Sequence, residues 1–156
     1  MKTIQHKNPD GSIVNVDVGE RVFIGAGVTI GSSAYIGNDV TIEHGATIGI
    51  VATIKSGALI GSYTTIGRGV TIGNDATIGS SATIENRAYI GNDVTIGNDV
   101  IIGSYATIST GAIIGSGTII ESGASIGNYT TVGRGVTIGN GAIIGSGSHI
   151  EKGKIT

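Results

Sequence analysis

From Val18 to Ile150 every sixth residue is aliphatic. The series runs Val18, Ile24, Ile30, Ile36, Ile42, Ile48 and onward, with isoleucine at each step after Val18 except at Val132. No residue is inserted or lost along the way. Two positions before each of these residues stands a small or β-branched side chain, as in Val22, Val28, Ala34, Val40, Ala46 and Ala52, continuing to Ala142 and Ser148. Strand side chains point to opposite faces with period two, so a segment such as Val28-Thr29-Ile30-Gly31 sends Val28 and Ile30 inward, Thr29 and Gly31 outward. A helix would need a period of 3.6, which this spacing refuses. The other two positions of each hexad are turn chemistry. Ala26-Gly27, Asn38-Asp39, Asn74-Asp75, Asn92-Asp93, Arg134-Gly135 and Asn140-Gly141 are pairs that tolerate a left-handed backbone. Each hexad is therefore a short strand and a corner. One such unit cannot bury its apolar side, but a stack buries all of them and pairs every strand above and below.

Composition agrees with stacking rather than disorder. The chain has 29 glycines in 156 residues, yet 39% of its residues are hydrophobic and the isoleucines are evenly spread, enough apolar area to offset chain entropy when stacked. The order isoleucine, Gly or Glu, two turn residues, a small residue and a free position resembles the hexapeptide-repeat family, over about six-sevenths of the chain. The resemblance implies an all-β fold, a three-sided left-handed parallel β-helix (β-solenoid) of about seven coils of 18 residues. At a strand spacing of about 4.8 Å the prism would stand roughly 35 Å tall. The left hand comes from the family, since the general crossover preference is right-handed. Residues 1–17 lie outside the repeat; Lys7-Asn8-Pro9-Asp10-Gly11 between two apolar-alternating stretches predicts a β-hairpin-like cap. Residues 18–150 are the β-helix and residues 151–156 a short charged tail.

Nine Lys and Arg against eleven Asp and Glu give a net charge of -2 with no basic cluster, so neither nucleic acid nor a membrane surface is an expected partner. There is no cysteine for a disulfide or a thiolate metal site. The N-terminal stretch is too polar for a signal peptide and no apolar run would span a bilayer, which makes a cytoplasmic location the default expectation.

Most characterised members of the hexapeptide family are acyltransferases, and the resemblance implies a histidine base near a subunit boundary and a loop leaving the helix beside the acyl-donor pocket. The unbroken register leaves no room for such a loop. Of the three histidines, His6 falls in the cap, His44 at a corner and His149 on an outward position, the last two about six coils or roughly 29 Å apart. His44 is the candidate general base, because in Glu43-His44-Gly45 a solvent-facing corner leaves the imidazole free beside a carboxylate that can orient it. A second family branch, the γ-class carbonic anhydrases, gathers three histidines on zinc, which the spacing here does not supply, so no metal and no cofactor is assigned. Asn74-Asp75 and Asn92-Asp93 place two carboxylates on one edge, a weak calcium pattern more simply read as a solvated edge. Gly25-Ala26-Gly27 and Gly67-Arg68-Gly69 lack the third glycine and the helix of a phosphate loop and are corners. Asn128-Tyr129-Thr130 matches a glycosylation acceptor, but Thr130 should point inward.

On the outward faces threonine recurs before isoleucine, at Thr29, Thr47, Thr65 and Thr83 on one face and Thr53 and Thr71 on another. Exposed apolar residues interrupt this: Ile101 and Ile119 on one face, Leu59 and Ile113 on the next, Tyr35, Tyr89 and Ile143 on the third, and Ile50-Val51 at a corner. Such patches predict contacts between copies of the chain, with a homotrimer, as the resemblance implies, ahead of end-to-end stacking. The expected function is accordingly a non-catalytic structural solenoid acting through self-assembly: a scaffold, a fibre segment or an idealised, designed repeat protein. The alternatives are a hexapeptide acyltransferase using an acyl-CoA or acyl-carrier donor at a subunit interface, and an ice-binding or flat-surface-binding module.

Overall fold

The computed structural model describes residues 1–155. The chain begins with β1 (Lys2–Lys7) and β2 (Ile13–Val18), an antiparallel hairpin. From there each hexad contributes one two-residue strand, from β3 (Phe23–Ile24), β4 (Thr29–Ile30) and β5 (Tyr35–Ile36) to β22 (Thr137–Ile138), β23 (Ile143–Ile144) and β24 (His149–Ile150), followed by β25 (Lys154–Ile155). Successive strands fall in three different sheets, and every third one stacks in register on its predecessor: Ile54 on Ile72, Ile72 on Ile90, Ile90 on Ile108. Each sheet has eight levels of parallel strands, and the hairpin adds β1 as a ninth on one of them. The result is a three-sided, left-handed parallel β-helix. The right-handed crossover rule rests on strand twist, and strands of two residues have little twist to transmit.

Inward residues form the core that the six-residue period demands. The inward isoleucines of the six-residue series from Ile30 to Ile138 are essentially without exposure, and Val and Ala two residues earlier fill most of the space between them. Three inward positions carry threonine, Thr64, Thr118 and Thr130, each fully buried with its hydroxyl donating to the carbonyl of Gly79, Gly133 or Gly145. Burying a hydroxyl without such an acceptor would cost a few kcal/mol.

Corners have one recurring geometry. From Arg21 to Gly147 the second corner residue takes a φ between 52° and 74°, the left-handed region that glycine, asparagine and aspartate enter most easily. Val51 is the exception in chemistry: a β-branched residue held at φ 53° with its side chain about half exposed. Nothing in the core repays that conformation, so Val51→Gly should raise stability by about 1 kcal/mol, read as a higher urea midpoint. A lower midpoint would mean that the valine side chain has a stabilising contact. The first corner residue presents an N–H outside the strand ladders, and the side chain one coil above accepts it: Asn38 takes Glu20, Asn86 takes Arg68, Asn92 takes Asn74 and Asn98 takes Ser80, at 2.8–2.9 Å. These asparagines read as turn formers in sequence, and the stack gives them a second task.

The hairpin closes one end by two means. β1 covers the edge of β2, and the buried Asn8 side chain acts on β4 as a strand would, its Oδ1 accepting Ile30 N–H at 2.8 Å and its Nδ2 donating to Ile30 C=O at 3.1 Å. His6 Nε2 lies 3.0 Å from the Val28 carbonyl beside it. Asn8→Ala should cost about 2 kcal/mol and speed hydrogen exchange at the Ile30 amide, because a backbone pair loses its partner. Unchanged protection at Ile30 would show that the amide contact contributes nothing. At the other end the segment read as a tail is partly structured: β25 joins β22 with Lys154 opposite Thr137. In the coils below, strands pair at three full hexads, as Ile119 and Thr137 do, so the last step is shorter by a single position. That shortening places Ile155 on Ile138 and keeps the apolar column going.

Candidate functional site

The corner that holds His44 follows β6 (Thr41–Ile42). Glu43 takes the outward position after Ile42, and His44 and Gly45 form the turn, with Gly45 at φ 68°. One coil above, the same corner carries Ser62 and Tyr63. The four side chains meet. Ser62 Oγ lies 2.6 Å from Glu43 Oε2 and 3.1 Å from His44 Nδ1, and the Ser62 N–H donates to the same carboxylate oxygen at 2.9 Å. The Tyr63 ring stands edge-on to the imidazole, centroids 4.9 Å apart at 85°. It can do so because Gly45 has no side chain; a Cβ there would come within 2.6 Å of Tyr63 Cδ1.

The hydroxyl has one proton, and the short contact assigns it to the carboxylate. Ser62 Oγ is then free to accept, so in the neutral ring Nδ1 carries the proton and Nε2 the lone pair. The Ser62 hydroxyl and N–H hold the Glu43 carboxyl below its ordinary value. A carboxyl lowered in the folded state contributes stability that is present above its unfolded value and lost as pH falls through the folded one. Expecting the imidazole to be free beside a carboxylate is thus corrected in detail: the ring is exposed, but Ser62 stands between it and Glu43. The signal that would have found Ser62 and Tyr63 is a step of three hexads added to His44.

The Glu43–Ser62 contact is also part of how corners are built. Glu85 accepts from the N–H and hydroxyl of Ser104 at 3.0 and 2.9 Å, and Glu121 accepts from Asn140 N–H at 3.0 Å. Only the first of the three carries a histidine. The remaining histidines lie apart from it, His6 in the hairpin and His149 on β24 with Glu151 3.4 Å away. Among the described residues no three His, Cys, Asp or Glu side chains gather as metal ligands. Asp75 and Asp93 are exposed at stacked corners.

The flat faces are as the period dictates. Thr29, Thr47, Thr65 and Thr83 stack in register and continue into Ile101 and Ile119. Ile50, Val51, Ile101, Ile113, Ile119, Tyr35 and Tyr89 are all exposed. The His44 corner and the Ile50-Val51 corner flank the same threonine-and-glycine face, one on each edge, at the level of Thr47. Among the described residues no helix is long and apolar enough to cross a membrane.

The family model described as bacterial transferase hexapeptide (six repeats) matches residues 15–49, 52–86, 75–110, 93–127 and 117–152. Solved structures share the winding. A UDP-N-acetylglucosamine acyltransferase from Campylobacter jejuni superposes with a TM-score of 0.87 at 25% identity, over 90% of this chain and 63% of that one. A UDP-N-acetylglucosamine O-acyltransferase from Moraxella catarrhalis RH4 gives 0.78 at 18% identity, over 86% and 62%, a likeness of fold alone. One from Bacteroides fragilis 9343 gives 0.52 at 27% identity, over 83% and 53%. The chain spans less than two thirds of the length of each. By sequence no curated protein matches it.

Proposed function

The chain belongs to the bacterial transferase hexapeptide family, and from that membership we propose that it is an acyltransferase whose general base is His44. The observation that carries this reading is the hydrogen-bonded series Glu43, Ser62, His44, which holds the ring by Nδ1 and makes Nε2 the nitrogen available as base in the neutral ring. In the reaction proposed, Nε2 takes the proton of an acceptor hydroxyl as its oxygen attacks the carbonyl carbon of an acyl thioester. The carbon–sulfur bond then breaks, and the imidazolium returns its proton to the departing thiolate. The Glu43 carboxylate, acting through Ser62, steadies the imidazolium formed between these steps. Donors of the acyl-CoA or acyl-carrier class fit this chemistry, and the Campylobacter relative suggests a sugar-nucleotide hydroxyl as acceptor. On a single chain the corner is convex, so the proposal includes a homotrimer in which a neighbouring face, with contacts at Ile50, Val51 and the exposed isoleucines, excludes water from the site.

Ser62 acts through His44 and is a positioning residue. Ser62→Ala should lower kcat about tenfold with little change in KM, and Ser62→Thr should restore part of it, because the hydroxyl orients the base and binds no substrate. A fall in stability with unchanged kcat would assign the serine to corner structure only. The assay is thiol release from acetyl-CoA and longer acyl-CoA esters with UDP-N-acetylglucosamine as acceptor.

A second reading, a non-catalytic structural solenoid acting through self-assembly, is favoured by one specific observation. The Glu–Ser contact recurs at Glu85 and Ser104 with no histidine near it, so the corner has a use for this pair without chemistry. Absence of any thioester turnover by the parent protein, with self-association intact, would select that reading.

A further inference from the structure

The end of the prism that bears the hairpin has three sheet edges, and they are treated differently. β1 pairs along the edge of β2, and Asn8 and His6 engage Ile30 and Val28 at the edge of β4. β3 is the end strand of its sheet, paired with β6 on one side only. Inside the stack the ladder is regular: Phe23 N–H donates to the Val40 carbonyl and Gly25 N–H to that of Ile42, so the carbonyls of Val and Ile accept from the coil beneath. Val22 and Ile24 are the residues equivalent to Val40 and Ile42 on the first coil. Among the described residues no donor reaches the carbonyl of either. Ile24 is also the counterpart of Ile30, whose N–H and C=O are both taken by Asn8.

Beneath this edge lies a cleft of about 500 Å³ lined by Met1, Lys2, Ile4, Val18, Val22 and Ile24, with Gly19 to Arg21 at its rim. Its apolar floor is partly buried. The Arg21 guanidinium is taken up by Asp39 of the next coil, its Nη2 donating to Asp39 Oδ2 at 2.7 Å, so the site is not built around a free cation for an anionic ligand. What it presents is the carbonyls of Val22 and Ile24, with the Ile24 N–H turned the same way between them, above an apolar floor.

We propose that the free edge of β3 and the cleft beneath it bind a single extended peptide strand, which extends this sheet by one rung. An extended chain supplies N–H groups every second residue, the spacing at which Val22 and Ile24 offer carbonyls, and its alternate side chains fall on Ile4, Val18 and Ile24. The hairpin fixes the width of the occupant. With β1 under one edge and Asn8 under another, one strand fits beneath β3, whereas the end of a second solenoid, three edges wide, meets the hairpin. Recognition therefore rests on backbone bonds and one inward aliphatic residue.

The probe is a fluorescein-labelled peptide with the sequence of residues 91–97, Gly-Asn-Asp-Val-Thr-Ile-Gly, which contains a strand of this same sheet. Titrated against the full chain, it should bind with amide shift changes confined to residues 1–4 and 18–25. The same peptide N-methylated at its threonine and its last glycine should bind at least tenfold more weakly, because those two amides would serve Val22 and Ile24. No binding at millimolar peptide, equal binding of the methylated peptide, or shift changes confined to residues 139–155 would each overturn the proposal. Ile24→Pro removes the one N–H that this edge turns outward, a substitution an edge strand tolerates, and should weaken binding at least tenfold while leaving the unfolding midpoint within a few tenths of a molar in urea. Should that variant fail to fold, the methylated peptide decides.

Discussion

Ile72→Asp is expected to destroy the fold of the middle coils, while Thr71→Asp, one residue earlier, should be nearly silent. Ile72 is fully buried between Ile54 and Ile90, and Thr71 faces outward on the same strand. An aspartate at 72 loses the burial of an isoleucine, about 2–3 kcal/mol, and places a carboxyl where the only neighbours are aliphatic, a further cost of several kcal/mol. That sum rivals the whole stability of a typical domain, about 5–15 kcal/mol. The damage also propagates, since each coil is held by its two neighbours and a broken level leaves both halves with an exposed end. At 71 the substitution exchanges one outward polar residue for another and should cost less than about 1 kcal/mol. Far-UV dichroism and urea titration of the pair check this. Equal stability of the two variants would contradict the assignment of inward and outward faces.

His44→Ala should lower thioester turnover by about 10²–10⁴-fold, the range removed with a general base, which corresponds to roughly 3–5.5 kcal/mol of barrier. The effect should fall on kcat, because Nε2 acts as the proton moves and contributes little to ground-state binding. Stability should change by less than about 1 kcal/mol: the imidazole is exposed, and what it loses is the edge contact with Tyr63 and the bond to Ser62. The comparison with Ser62→Ala separates the roles, a full loss for the base against about a tenth of the activity for the residue that orients it. Turnover that survives His44→Ala would remove the histidine from the mechanism and leave the structural solenoid as the better account.

The fold could be read closely because its information is local and repeated. A six-residue period with two inward positions states the face of every side chain, and turn pairs at a fixed offset state where the chain bends. The same periodicity hid the contacts that matter at His44. Ser62 is a full coil further along the chain, and its meaning depends on three hexads making one coil. Asn8 was legible as a turn residue, yet it folds back onto Ile30 from well outside the repeat to take the place of a strand. The sequence places Glu43 beside His44; its carboxylate reaches upward to the next coil, where the Ser62 N–H and hydroxyl donate to it.

The sequence by itself determined the β-solenoid, its core and the location of its corners, because isoleucine at every sixth position has a single way to be buried. The family resemblance supplied the hand. The tertiary structure decided what the unbroken register does at particular places. It inserted Ser62 between base and carboxylate, closed two sheet edges at the hairpin end and left β3 open, and shortened the last step by a single position. Each of these is a contact between coils or between the hairpin and a coil. A one-dimensional repeat specifies that coils stack, and the side chains that then lie one above another, or fold over an end, acquire partners only once the stack exists.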